Sequence, residues 1–166
     1  MFKCIIVFEF SISIKNEKKE HNLEIWKIII IEASPEVIFE AITKSDELTQ
    51  WFPDQAILEA KIGGKVKFVH IKEILPEWKL DRDCVMEGTV VELVPNKKIS
   101  YTWKYNDIPE FPETTVIWEL EEVEPNRTRV QLTHLGFTGE EKGLTSFESH
   151  NEDWTEMLNK LAKYCR

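Results

Sequence analysis

The closing stretch TSFESHNEDWTEMLNKLAKYCR, Thr145–Arg166, decides the fold. Phe147, His150, Trp154, Met157, Leu158, Leu161 and Tyr164 recur at three- and four-residue steps, which predicts one amphipathic helix about five turns long. His150 falls on the margin of the stripe. Thr145 and Glu148, three apart, read as a capping box at its start. A stripe of this length needs a surface to lie on.

The preceding segments supply that surface. Ile99, Tyr101, Trp103 and Tyr105 alternate with Ser100, Thr102 and Lys104, the period of a half-buried strand. Val116, Trp118 and Leu120 alternate with Thr115, Ile117 and Glu119, and Val130, Leu132 and His134 with Arg129, Gln131 and Thr133. Pro95-Asn96 and Pro125-Asn126 mark tight turns. Further upstream, Cys84–Val94 reads as a strand, and Gly63-Gly64 separates strands over Ile57–Ile62 and Lys65–Ile71. Residues 73–83 read as a loop. Glu24–Glu32, centred on Ile28-Ile29-Ile30-Ile31, reads as the first strand of the domain. Ser34-Pro35-Glu36 then sets a helix start, with Ser at the cap, Pro at the first position and an acid in the first turn. A second short helix from Ser45 carries Leu48, Trp51 and Phe52 on one side and ends at Pro53.

Tight turns impose antiparallel neighbours. The order is therefore an α+β domain: a curved antiparallel sheet of about seven strands around a long C-terminal helix, with two short helices after the first strand. One helix across a curved sheet leaves a gap at one end, which the short helices fill in part. The remainder is expected to be a cavity lined by aromatic side chains.

Composition narrows the function. The chain has 166 residues, one domain's length. Its net charge of −9 repels phosphate backbones and anionic lipid heads, so nucleic acid is not expected as a partner. No apolar run approaches the roughly 20 residues of a membrane span, so no membrane insertion is expected. Cys4, Cys84 and Cys165 are odd in number and form no CxxC pair, which fits reduced thiols and a cytoplasmic location. Residues 1–21 differ in composition and carry little net charge. They read as an N-terminal extension, either an extra strand or a loosely held segment, ahead of a domain over 22–166 that holds the acidity.

Ala33-Ser34-Pro35-Glu36-Val37, Trp51-Phe52, Gly63-Gly64, Gly88-Thr89-Val90, Ile99-Ser100-Tyr101-Thr102-Trp103 and Leu132-Thr133-His134-Leu135-Gly136-Phe137 occur in one order. That order resembles small proteins similar to the activator of heat-shock protein 90 ATPase, in the START-like (SRPBCC) superfamily. The resemblance spans about residues 24–165. It implies the helix-grip fold, also known from birch-pollen allergen, with a hydrophobic pocket between sheet and helix.

No GxSxG, P-loop, dinucleotide fingerprint or zinc-type Cys/His spacing is present, so no catalytic residue, metal or cofactor is assigned. His134 shares a face with Val130 and Leu132. It reads as a core histidine bonded to a neighbour, a polar anchor at the pocket mouth, or a general base. Trp51, Phe68, Tyr101, Trp103, Trp118, His134, Phe137 and Trp154 are the residues expected to line a ligand site, because pockets are mostly apolar with a few orienting polar groups. Three functions stay open: binding of a small hydrophobic molecule without catalysis; a protein-interaction module resembling the heat-shock protein 90 ATPase activator; and an enzyme acting on a pocket-bound substrate.

Overall fold

The computed structural model describes residues 8–13, 23–71 and 82–166, the first of these segments as backbone. Of the sequence expectations, Cys4, His21 and nearly all of the 73–83 loop lie outside the described residues. The elements are β1 (Phe8–Ser13), β2 (Leu23–Ile31), α1 (Pro35–Thr43), α2 (Ser45–Leu48), β3 (Gln55–Leu58), β4 (Lys65–His70), β5 (Cys84–Val94), β6 (Lys98–Tyr105), β7 (Thr114–Glu124), β8 (Arg127–Phe137) and α3 (Phe147–Tyr164).

All strands join one antiparallel sheet in the order β1-β2-β8-β7-β6-β5-β4-β3. Strands β2–β8 are the seven of the expected architecture. β1 adds an eighth at the edge, Phe8 opposite Ile28 and Ser13 opposite Leu23. From β3 to β8 the chain meanders between neighbours. The β8–β2 pairing brings the start of the domain against its last strand, from which α3 departs.

The period-two pattern sets one inner face. Ile25, Lys27, Ile29 and Ile31 of β2, Val66 and Phe68 of β4, Tyr101, Trp103 and Tyr105 of β6, Val116 and Trp118 of β7, and Val130, Leu132 and His134 of β8 are all buried. Helix α3 buries His150, Trp154, Met157, Leu158, Leu161 and Ala162 against this face. His150, expected at the stripe's margin, is 4% exposed and belongs to its centre.

Local signals explain the joints. The Ser34 side chain accepts from Val37 N and Pro35 opens α1. Asn96 and Asn126 take φ of 61° and 57° in the two Pro-Asn turns, a conformation asparagine tolerates better than most residues. Gly88 is required by contact: a Cβ there would stand 1.8 Å from Thr102 O across the β5–β6 pair. Three boundaries differ in substance from the sequence reading. α2 ends at Leu48, so Trp51 and Phe52 lie in the turn that follows it rather than on the helix. β3 is Gln55–Leu58, because Glu59–Gly64 turns back on itself, with Lys61 N on Glu59 O and Gly64 N on Lys61 O. The cap of α3 is Ser146, whose Oγ accepts from Ser149 N at 3.1 Å. Thr145 belongs to a 3-10 turn over Gly143–Thr145 and donates to Lys142 O.

Candidate functional site

All eight residues expected to line a site are buried on the inner face or packed against it. Their rings touch. Trp103 lies 5.6 Å from Trp154, 5.4 Å from His134 and 6.1 Å from Phe68, centroid to centroid. Trp154 lies 5.7 Å from Trp118, Trp118 6.4 Å from Trp51, and Phe137 4.6 Å from His134. Where the sequence reading expects an aromatic-lined hollow, these described rings close on one another.

Phe52 does much of that closing. It follows α2 and is half-buried, yet its ring touches Trp51, Phe68, His70, Trp103 and Trp154. Sequence reading placed it beside Trp51 on one side of a short helix without assigning it to the site. Its position in the motif Trp51-Phe52 was the available signal.

The hydrogen bonds fix the state of both inner histidines. Trp154 Nε1–H is a donor only, and it points at His134 Nδ1 at 3.0 Å. Nδ1 therefore accepts and the imidazole proton sits on Nε2. Nε2–H donates to Thr114 Oγ1 at 2.7 Å, and the Thr114 hydroxyl donates on to Trp103 O at 3.2 Å. Both ring nitrogens are engaged, so His134 has no free lone pair for a general base. Burial, and His150 beside it, hold its pKa well below the usual histidine value. His134 is thus a neutral link tying α3 to β7 and β6.

His150 has the opposite tautomer. Its Nδ1 faces the carbonyl oxygen of Ser146 at 2.9 Å and must donate. Its Nε2 then accepts from the Tyr105 hydroxyl at 2.9 Å. Burial lowers its pKa too. Tyr105, Thr114 and His150 were not among the expected site residues. The clean alternation of β6 places Tyr105 beside Trp103, but nothing in the sequence pairs it with a helix residue 45 positions away.

The apolar strand β2 hides another departure. Lys27 is 0% exposed, and its Nζ donates to Thr155 Oγ1 on α3 at 2.7 Å. Alternation with Ile25 and Ile29 placed this ammonium inside, a signal the sequence reading passed over.

Polar chemistry collects at the ends. At one, His70 is lowered to about 4 by burial, and Asp153 is raised to about 6 by burial and by Glu156 and Glu152. Burial pushes the Cys84 thiol there, and the Cys165 thiol at the far end of α3, up to about 11, leaving both protonated and poor nucleophiles. Neither is in a disulfide. At another, a cleft of about 740 Å³ lies between the β6–β7 and β8–α3 connections, lined by Ile108 and Phe111 and by Glu110, Glu140, Glu141 and Lys142. Glu141 is held by Thr138 and Gly139, whose hydrogen bonds outweigh burial and lower its pKa. Among the described residues, no group of three or more His, Cys, Asp or Glu side chains is placed to hold a metal ion.

A stability profile follows from the three lowered histidines. Each takes up a proton near pH 6.5 when unfolded and only at lower pH when folded, so the unfolded state binds more protons below about pH 6.5. Stability then falls as the pH drops, by up to about 1.4 kcal/mol per pH unit for each histidine. Asp153 opposes this below about pH 6, where its folded form holds a proton that the unfolded form lacks. The net expectation is a loss on the order of 3 kcal/mol between pH 7 and pH 5. Urea midpoints measured at both pH values check it, and a midpoint that holds or rises at pH 5 contradicts the assignment.

The comparisons with known proteins bear on this architecture. The family model described as activator of Hsp90 ATPase homolog 1-like protein matches residues 32–166. The chain belongs to this family. Solved structures place it in the same fold. The Aha1 dimer from Colwellia psychrerythraea is 29% identical, with a TM-score of 0.65 over 86% of this chain and 95% of that one. An Hsp90 activator from Plasmodium falciparum is 24% identical, with a TM-score of 0.62 over 84% and 92%. CalU16 from Micromonospora echinospora, at 16% identity, has a TM-score of 0.68 over 98% and 87%. No curated protein matches in sequence. Among the described residues, no helix of this family member is long and apolar enough to cross a membrane.

Proposed function

We propose that this protein is a cytoplasmic binding module for a small, largely apolar molecule, held between the sheet and α3 without catalysis. The observation that carries the reading is Phe52. A half-buried ring from a connecting segment lies over an aromatic cage that two regular elements, β6 and α3, hold in place. A flat apolar ligand takes the place of that ring, against Trp103, Trp154, Phe68 and Trp51. Pockets of this kind are mostly apolar with few polar groups. The engaged ring nitrogens of His134 and the protonated thiols weigh against catalysis.

The test is Phe52→Ala. It is expected to raise the affinity for fluorene, measured by equilibrium dialysis, about tenfold, because the probe no longer competes with a side chain worth about 1.4 kcal/mol or more of contact. Stability falls by roughly 2–3 kcal/mol, less than for a fully buried Phe. Unchanged or weaker fluorene binding in a folded variant contradicts the proposal.

A second reading has its own support: the cleft lined by three carboxylates, Glu110, Glu140 and Glu141, against one cation, Lys142, together with the likeness to an Hsp90 activator. Under it the domain docks on a basic face of a chaperone of that type. Stimulation of purified Hsp90 ATP hydrolysis, weakened by added salt, distinguishes it.

A further inference from the structure

The run Ile28-Ile29-Ile30-Ile31 is apolar on both sides of β2, the mark of a strand covered on both faces. Ile29 and Ile31 belong to the core. Ile28 and Ile30 lie on the outer side with Trp26, and all three are half-buried. Register extends this outer field across the sheet. Trp26 stands opposite Thr133, Thr133 opposite Ile117, and Ile117 opposite Ser100. One step along, Glu24 stands opposite Leu135, Leu135 opposite Thr115, and Thr115 opposite Thr102. Directly paired residues share a face, so the two rows lie side by side on the outer surface of β2, β8, β7 and β6. Glu24 is the one charged residue in them. Beyond them the outer positions carry cross-strand ion pairs: Glu119 with Lys98, Glu121 with Arg129, and Glu87 with Lys67. Single apolar residues on a surface need no explanation, but a contiguous field in a chain with 31% charged residues marks a contact site. β1 widens the field in register, with Phe10 opposite Trp26 and Ile12 opposite Glu24.

The field is built about β8 as a midline. The bulky Trp26 stands on one flank, on β2. The other flank is lower, with Ile117 and Thr115 on β7 and Ser100 and Thr102 on β6. Thr133 and Leu135 lie on the midline. A half-turn about an axis along β8 lays Trp26 on Ile117, Glu24 on Thr115 and Leu135 on a second Leu135. Tall side chains then meet short ones, and the lone carboxylate meets a hydroxyl rather than its own copy. The contact is self-complementary, as an isologous dimer requires. Sheets packed face to face lie about 10 Å apart with their strands nearly aligned, which is the arrangement this axis produces. Five strands about 4.8 Å apart, with three outer positions about 7 Å apart on each, cover roughly 500 Å² per copy. Two copies together reach about 1,000 Å², the lower bound for a specific interface.

We propose that this outer face joins two copies of the chain in a reversible dimer, two-fold related about an axis along β8. An uncharged face selects no strongly charged partner. Each copy carries a net charge of −9, so long-range repulsion opposes the contact and added salt strengthens it.

Sedimentation velocity on the full chain tests it. The wild type is expected to pass from monomer to dimer with a Kd on the order of 10–100 µM, the range of a small interface. Raising NaCl from about 50 mM to about 500 mM should tighten it about threefold. Leu135 is 36% exposed, so Leu135→Lys and Leu135→Glu should fold, as circular dichroism checks. Each sets like charges together on the axis and should weaken the dimer about tenfold or more. An equimolar mixture of the two should recover it, because a lysine then meets a glutamate. Thr115→Lys faces Glu24 of the other copy and should tighten the dimer, whereas Thr115→Glu should loosen it. This second pair decides should the Leu135 variants fail to fold. Ile57→Lys, at a 46% exposed position on β3 at the opposite edge of the sheet, should change nothing. The proposal is overturned by a wild type that stays monomeric to about 500 µM, well above the expected Kd. A dimer indifferent to the charges at Leu135 and Thr115, one broken by Ile57→Lys, or a mixture that fails to recover overturns it equally.

Discussion

Leu161→Asp is expected to leave no cooperatively folded protein at neutral pH. Leu161 is 0% exposed in the core beneath α3. The change removes a buried apolar side chain, about 2–5 kcal/mol for a truncation of that size. It also places a carboxylate where no charge can be paired, which forces a raised pKa or an open helix. Together these approach the whole of a typical domain stability of about 5–15 kcal/mol. Circular dichroism and a urea titration read the outcome. A native spectrum with a midpoint within measurement error of the wild type would mean that α3 does not lie on the sheet by this face.

Trp154→Ala is the second large effect, at roughly 3–5 kcal/mol. Trp154 is 3% exposed, and its ring meets Phe52, Trp103, Trp118 and His134. The truncation also strips His134 Nδ1 of its donor, leaving a buried acceptor unpaired. Trp154→Phe separates the two contributions. It keeps most of the ring and should cost about 1–3 kcal/mol, the cost of the orphaned acceptor with a smaller loss of packing. A difference below about 1 kcal/mol between wild type and Trp154→Ala contradicts the packing of α3 on the aromatic cage.

The fold was legible because its elements announce themselves by period. Strands β6, β7 and β8 alternate cleanly, their turns carry Pro-Asn, and the helix repeats apolar residues at three and four. One inner face follows from that pattern, so the eight aromatic and histidine positions could be named in advance. What depends on contacts between distant residues was not legible. Alternation puts His134 inside but cannot show that Trp154 and Thr114 use up both its nitrogens. His150 appeared marginal because helical spacing alone cannot show a tyrosine hydroxyl waiting on β6. Thr145 and Ser146 are equally good caps in sequence, and the choice fell to Ser146 once Gly143 opened a tight turn. Lys27 was readable, since period two sets it between Ile25 and Ile29, but a lysine among isoleucines is easily counted as an outward interruption.

The direct test of the central claim is a nuclear Overhauser measurement on nitrogen-15-labelled protein saturated with fluorene. The six tryptophans give six indole N–H signals. The account predicts cross-relaxation from probe protons to the Trp103 and Trp154 indoles, with displacement of the Phe52 ring resonances. Cross-relaxation confined to Phe111 and Thr138 in the outer cleft, or to no residue at all, would contradict it.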